Sequence, residues 1–259
     1  MTVREALRAQ RKAMKDRPLK ENIAYLWDYY GMKAIVIIIV AIALLSTVVS
    51  VVSRKDSGFF GAFFGVVPRQ EAEQYLQDFA EAAGIDTGHY SLSVQVSPDI
   101  RLGSTVTEDA FQHMQRFSAM VASKTADAFA ANQDLFLYYS YAGYTLDLRT
   151  VLPPEQLAAL SPWLYYIDGE MLTFLESNDD PEFTLDQCPD PSKPEDMADP
   201  IPVAVSIQAT TQAFQDNYPF VANDVIIGIC VSSEHTDHAR AFLQYALGLP
   251  LDAVQKAMP

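Results

Sequence analysis

From Ala34 to Val52 the chain runs AIVIIIVAIALLSTVVSVV, with no charge and no proline, between Lys33 on one side and Arg54 with Lys55 on the other. As a helix this run measures roughly 28 Å, about the hydrocarbon thickness of a bilayer. It predicts one transmembrane helix, over 34–53, with a tail at 1–33 before it and a domain at 58–259 after it. A cleaved signal peptide fits poorly, because the preceding segment and the apolar run are both longer than such peptides use and no A-x-A site follows. No cysteine lies near the end of the run to take a lipid, so the segment reads as an uncleaved anchor.

Charge orients it. Residues 1–33 carry eight Lys and Arg against four Asp and Glu, whereas the overall charge of −15 leaves −21 for residues 56–259. The positive-inside bias places the basic tail in the cytoplasm and the acidic domain outside. Tyr25, Trp27, Tyr29 and Tyr30 stand where an interfacial aromatic belt anchors the inner end. An acidic domain is a poor ligand for nucleic-acid phosphates and for anionic lipid, so neither is expected as a partner of the outer part. Its two cysteines, Cys188 and Cys230, allow a single pairing in an oxidising compartment. Cys230 sits in the apolar run VIIGICV, where a buried free thiol is equally natural.

The outer part alternates strand and helix. GFFGAFFGVV (Gly58 to Val67) predicts a buried strand, and Ala72, Tyr75, Leu76, Phe79 and Ala83 then fall at helical spacing before a Gly84 cap. Tyr90 to Ser97 alternates apolar with polar residues, as a strand with one wet face does at a sheet edge. Thr105 with Glu108 forms a capping box, and Phe111, Met114, Phe117, Val121, Thr125 and Phe129 trace the stripe of a long helix. LFLYY (Leu135 to Tyr139) predicts a third strand, and LDLRTVLPPEQLAAL a turn and a short helix. LYYI and MLTFL predict paired strands, and Pro181 to Pro202 a solvated acidic loop without calcium-loop spacing. VAVSI, VIIGICV and a last helix through Ala239, Phe242, Leu243 and Ala246 close the chain. Such alternation predicts an α/β sheet with crossover connections.

No G-x-S-x-G, H-E-x-x-H, Walker loop or C-x-x-C occurs, and no enzymatic activity or cofactor is expected. His235 and His238 share a face near the start of the last helix, without a third ligand for a metal. Gly58, Gly61 and Gly65 lie within or before a strand rather than after it, so they make no dinucleotide fingerprint.

The stretch ASKTADAFAANQDLFLYYSYAGYTLDLRTVLPPEQL, with PVAVSI and VIIGICVSSEHTDHARAFLQYAL after it, resembles extracellular solute-binding proteins of the type 2 periplasmic-binding fold. NIAYLWDYYGMK ahead of one membrane helix is similar to membrane-anchored proteins of Gram-positive, Firmicutes-type bacteria that carry degenerate domains of this kind. The resemblance implies an extracytoplasmic module with a second lobe reduced to Leu152 to Pro202. It implies a non-enzymatic role, either capturing a small solute, with a membrane protein such as a permease as partner, or holding an envelope partner by protein contacts. In α/β folds ligands sit beyond the carboxyl ends of the strands. That rule nominates Val67 and Arg69, Ser104 and Thr105, Ser140 and Tyr141, and Ser206. Tyr138, Tyr139, Tyr141 and Tyr144 around Ser140 are expected partly in the core and partly at a cleft or partner surface.

Overall fold

The computed structural model describes residues 35–46, 55–67, 69, 71–102, 107–177 and 184–251. The chain divides into two units, Met1–Arg54 and Lys55–Pro259. In the first, residues 35–46 are helical, and the rest of the predicted span lies outside the described residues. Among the described residues no helix is long and apolar enough to cross a membrane. The basic tail and the aromatic belt also lie outside them.

The second unit is an α/β domain built on one six-stranded mixed sheet. Its strands are β1 (Asp56–Phe64), β2 (Tyr90–Ser97), β3 (Ala128–Asn132), β4 (Leu164–Asp168), β5 (Pro200–Ser206) and β6 (Val225–Ile229). They lie in the order β2-β1-β3-β6-β5-β4. The pairs β1–β2 and β1–β3 are parallel, and β3–β6, β5–β6 and β4–β5 are antiparallel. The helices are α1 (Ala72–Ala83), α2 (Glu108–Ala122), α3 (Gln133–Tyr141), α4 (Pro154–Leu160), α5 (Gly169–Ser177), α6 (Gln212–Asn217) and α7 (Thr236–Ala246).

β1 is flanked on both edges and covered on both faces, so its nearly continuous apolar run is what a parallel strand of this kind requires. Phe59 and Phe63 enter one core with Tyr75 and Phe79 of α1, Phe214 of α6 and Phe242 of α7. Ala62 and Phe64 enter the other with Phe117 and Val121 of α2 and Phe136 of α3. Phe59 stacks on Phe242 at 4.3 Å between ring centroids and Phe129 on Phe136 at 4.2 Å, one pair in each core. Gly228 in the middle of β6 makes the second pair fit: a Cβ there would meet the Val203 carbonyl oxygen at 2.5 Å and the Phe136 ring at 2.7 Å.

Several expectations change here. LFLYY belongs to α3, and the third strand is the preceding AFAAN, which the helical stripe through Phe129 had absorbed. The cause is Asn132, whose side-chain oxygen accepts the Leu135 N–H at 3.1 Å and starts a helix where the apolar run continues. Helix α2 ends before Lys124, which holds φ at +60°. Its described cap is Thr107, whose hydroxyl accepts from the Ala110 N–H at 3.2 Å, while Thr105 lies outside the described residues. MLTFL is helical, in α5, because Asp168 accepts the Glu170 N–H at its first turn.

Leu152 to Pro202 does not form a second lobe. It supplies β4 and the start of β5, which pair with each other and through β6 join the same sheet. The single described sheet therefore leaves no cleft between lobes. The physical cause is length: after α4 the segment can add two strands to an existing edge but cannot enclose a core of its own.

Candidate functional site

The nominated residues do not converge. Ser140 is fully buried and donates to the Phe136 carbonyl at 3.0 Å, a bond within its own helix. Tyr141 is buried, and its hydroxyl accepts the Asp168 N–H at 3.2 Å. Both sit at the end of α3, which runs back from the carboxyl end of β3, so they lie at the opposite edge of the sheet from Val67 and Ser206. The strand expected there would have kept them at the carboxyl edge. Ser206 is buried and caps a turn by accepting the Gln208 N–H at 3.3 Å. Val67 is exposed and donates its N–H to Pro219 at 3.0 Å. Ser104 and Thr105 lie outside the described residues. Of the tyrosine cluster, Tyr139 and Tyr141 are core and Tyr138 is exposed, and because the element is a helix the strand alternation expected to divide them does not apply.

The crevice beyond the parallel strands is filled by the chain itself. Val66 bridges Phe220 in antiparallel fashion, and Val221 donates to the Gly65 carbonyl at 2.8 Å. Asp99 accepts from Asn132 at 2.9 Å and from Arg101 at 3.0 Å, and Arg101 reaches on to Asp224 at 3.6 Å. This girdle locks the carboxyl edge.

At the opposite edge stands a buried polar cluster. Asp127 is fully buried and accepts the Phe60 N–H at 2.7 Å and the Ser233 hydroxyl at 2.6 Å, with His235 Nδ1 at 3.7 Å. Burial pushes its carboxyl up, against the pull of Ser233, Phe60, His235 and His238. Ser233 donates to the carboxylate, Phe60 of β1 donates to it as well, and the cluster ties the start of α7 to β1. His238 Nδ1 bonds the Gly58 carbonyl oxygen. Among the described residues no group of ligands could hold a metal ion.

Asp168 is a structural hub. It accepts N–H groups from Glu170 at 3.0 Å, Ala198 at 3.0 Å and Asp199 at 3.2 Å. Burial alone would raise its carboxyl, but the backbone donors outweigh it and hold the group below the usual carboxylate range. Cys188 and Cys230 are both free thiols, not a disulfide. Burial drives the Cys230 thiol far up, with Asp127 adding to it.

A concavity lies where one nominated residue, Arg69, does stand. Between α1 and the edge strand β2 runs an open trench in two stretches of about 270 Å³ each, which share Glu73, Leu76 and Leu92 and so continue one another. One end holds Lys55, Thr87 and Tyr90, the other Val66, Arg69, Val96, Asn217 and Tyr218. Leu92, Val94 and Val96 line it, half-buried against the core of α1.

The backbone of β2 is as informative as its side chains. His89 and Ser97 turn their carbonyls toward β1, accepting from Asp56 and Gly65 at 3.1 and 2.8 Å. In a parallel pair the N–H and C=O of one residue point the same way and alternate along the strand. The groups of Leu92, Val94 and Val96 therefore face away from β1, toward the open edge. β2 carries no charge and no proline from Tyr90 to Ser97. Exposed edges are normally blunted by such devices. The alternation of Tyr90 to Ser97 signals this edge in the sequence; the trench it forms with α1 is tertiary and has no such local signal.

No protein family, no curated protein and no solved structure matches the chain.

Proposed function

We propose that the chain is a membrane-tethered, non-enzymatic binding module that works outside the membrane of a Gram-positive-type envelope. The apolar segment 34–53 is its single-pass anchor, with the N-terminus cytoplasmic, and the α/β domain holds a protein partner. The observation that carries this reading is the uncharged edge β2 beside an open trench: backbone groups at Leu92, Val94 and Val96 offer strand addition, and alternate side chains of the added strand fall into the trench. Docking of an extended segment is favoured over solute capture because the trench is long and open, whereas solute sites bury most of their ligand.

Hydrogen exchange at single-residue resolution tests it. The amides of Leu92, Val94 and Val96 exchange quickly in the purified chain and slowly in native envelope membranes. Equal, rapid exchange in both samples would remove the docking role.

A solute-binding-like module is the second reading, favoured by the apolar trench walls with Arg69 and Tyr218 at one end. A solute at a hundred times its dissociation constant would raise stability by about 2.7 kcal/mol. A screen of amino acids, peptides, sugars and polyamines giving no shift would dismiss it.

A further inference from the structure

We propose that the partner taken by the β2 edge is a second copy of this chain, added antiparallel across a two-fold axis at Val94; this rests on the strand-addition reading above. β2 ends the sheet, and its open side is bounded in both directions. Tyr90 already spends its N–H on the Asp86 carbonyl at 2.8 Å. Pro98, which follows Ser97, has no N–H to give. Between these stops the outward backbone groups are those of Leu92, Val94 and Val96, a set whose middle member is Val94.

A set of that form is its own complement. In an antiparallel pair, residues whose N–H and C=O point toward the partner strand meet opposite one another and exchange both bonds. Turned about Val94, the edge sets Val94 against Val94 of the second copy and Leu92 against Val96, so every outward group of these residues is bonded on both copies. A shift of two residues, the least that keeps the faces in register, sets Val96 against Tyr90 in one direction and Leu92 against Pro98 in the other. Either shift leaves a carbonyl without its donor.

The side chains favour the same pairing. A two-fold axis normal to the sheet brings Val94 onto Val94 and Leu92 onto Val96 on the α1 face, and Ser93 onto Gln95 and Ser91 onto Ser97 on the other. Apolar meets apolar, polar meets polar, and no like charges are opposed. The half-buried row beside the trench is covered by the same row of the second copy. The acidity of the domain opposes the approach, but physiological salt screens it beyond about 8 Å. The trench lining itself carries both signs, Lys55 and Arg69 with Glu73. Pairing of one patch with itself across a two-fold axis is also the commonest way that identical chains associate. Anchoring in one membrane raises the effective concentration of the copies, so a pairing this short holds there and comes apart in dilute solution.

The test uses the full chain in liposomes that hold no other protein, with Cys188→Ser so that the fully buried Cys230 is the one native thiol left. A single cysteine replaces Leu92, Val94 or Val96, and mild oxidation follows. In the expected register Val94 and its copy stand about 5.5 Å apart at Cα, within disulfide reach. Leu92 and its copy, or Val96 and its copy, stand roughly 14 Å apart along the strands. Val94→Cys should therefore give about tenfold more disulfide-linked dimer than Leu92→Cys or Val96→Cys alone, and reconstituting those two together should restore the dimer. Equal crosslinking from all three, or none from any, would overturn the second copy as the partner. Hydrogen exchange then separates the two readings. If the amides of Leu92, Val94 and Val96 are protected in native envelope membranes but not in these liposomes, the second copy falls and strand addition by another protein stands. Rapid exchange in both would overturn strand addition as well.

Discussion

Replacing Asp168 with asparagine tests how the domain holds its return segment to the sheet. The carboxylate accepts three backbone N–H groups, from Glu170 in α5 and from Ala198 and Asp199 just before β5. A bond to a charged acceptor is worth roughly 1.5 kcal/mol or more net. Asparagine keeps one acceptor oxygen and turns an N–H donor toward the others. The expected loss is about 3 kcal/mol, which for a domain of this size lowers Tm by roughly 9 °C. The pH dependence carries the sign: because the folded pKa lies below the unfolded value of about 3.9, the contribution of Asp168 is fully present above that value and is lost as pH falls through the folded pKa. Urea unfolding followed by circular dichroism at pH 7 and at pH 3 should therefore show a large gap between wild type and variant that narrows in acid. A cost under about 0.5 kcal/mol, or a gap independent of pH, would refute the hub.

Gly228→Ala forces a Cβ against the Val203 carbonyl and the Phe136 ring and should cost about 2 to 3 kcal/mol in a thermal melt, whereas a neutral result would mean that α3 and the sheet can part freely. Cys230 is fully buried with its thiol pushed far up, so thiol reagents should label it only after denaturation, and a Cys188–Cys230 bond in non-reducing mass analysis would contradict the free thiols. For the anchor, a cysteine placed at Thr2 should be shielded from impermeant reagents in intact cells and one at Pro191 should react; the reverse pattern would invert the topology.

The sequence was most legible where a period or a backbone requirement stood alone. The β2 alternation, the α1 stripe ending at Gly84 with φ +69°, and the α7 stripe through Ala239, Phe242, Leu243 and Ala246 each predict what is found. It was least legible between Ala126 and Tyr141, where two apolar runs abut and only the cap at Asn132 marks the boundary. Length and composition there suit a strand or a helix equally, because the segment is buried along most of its length, Asp134 and Tyr138 being exposed. The nominated Ser140 and Tyr141 fell with that boundary, since a residue assigned to the wrong element is carried to the wrong edge of the sheet. Arg69 lies at the trench because it follows β1, whose assignment held. Asn217 and Tyr218, which line the trench with it, carry no local signal at all; their place follows from how α6 packs against α1 and β1.

The most direct test of the docking account is a photocrosslink made in intact cells. With benzoylphenylalanine at Gln77, an exposed position on α1 that lines the trench, irradiation should yield one discrete adduct with an envelope protein. Val94→Lys, which places a charge in the half-buried row of β2, should abolish that adduct while the chain keeps its level in the membrane. The same probe at Gln212, exposed on α6, should give none. An adduct that persists at full strength in the Val94→Lys chain, or the absence of any adduct from Gln77, would contradict the claim that this edge is where the protein holds its partner.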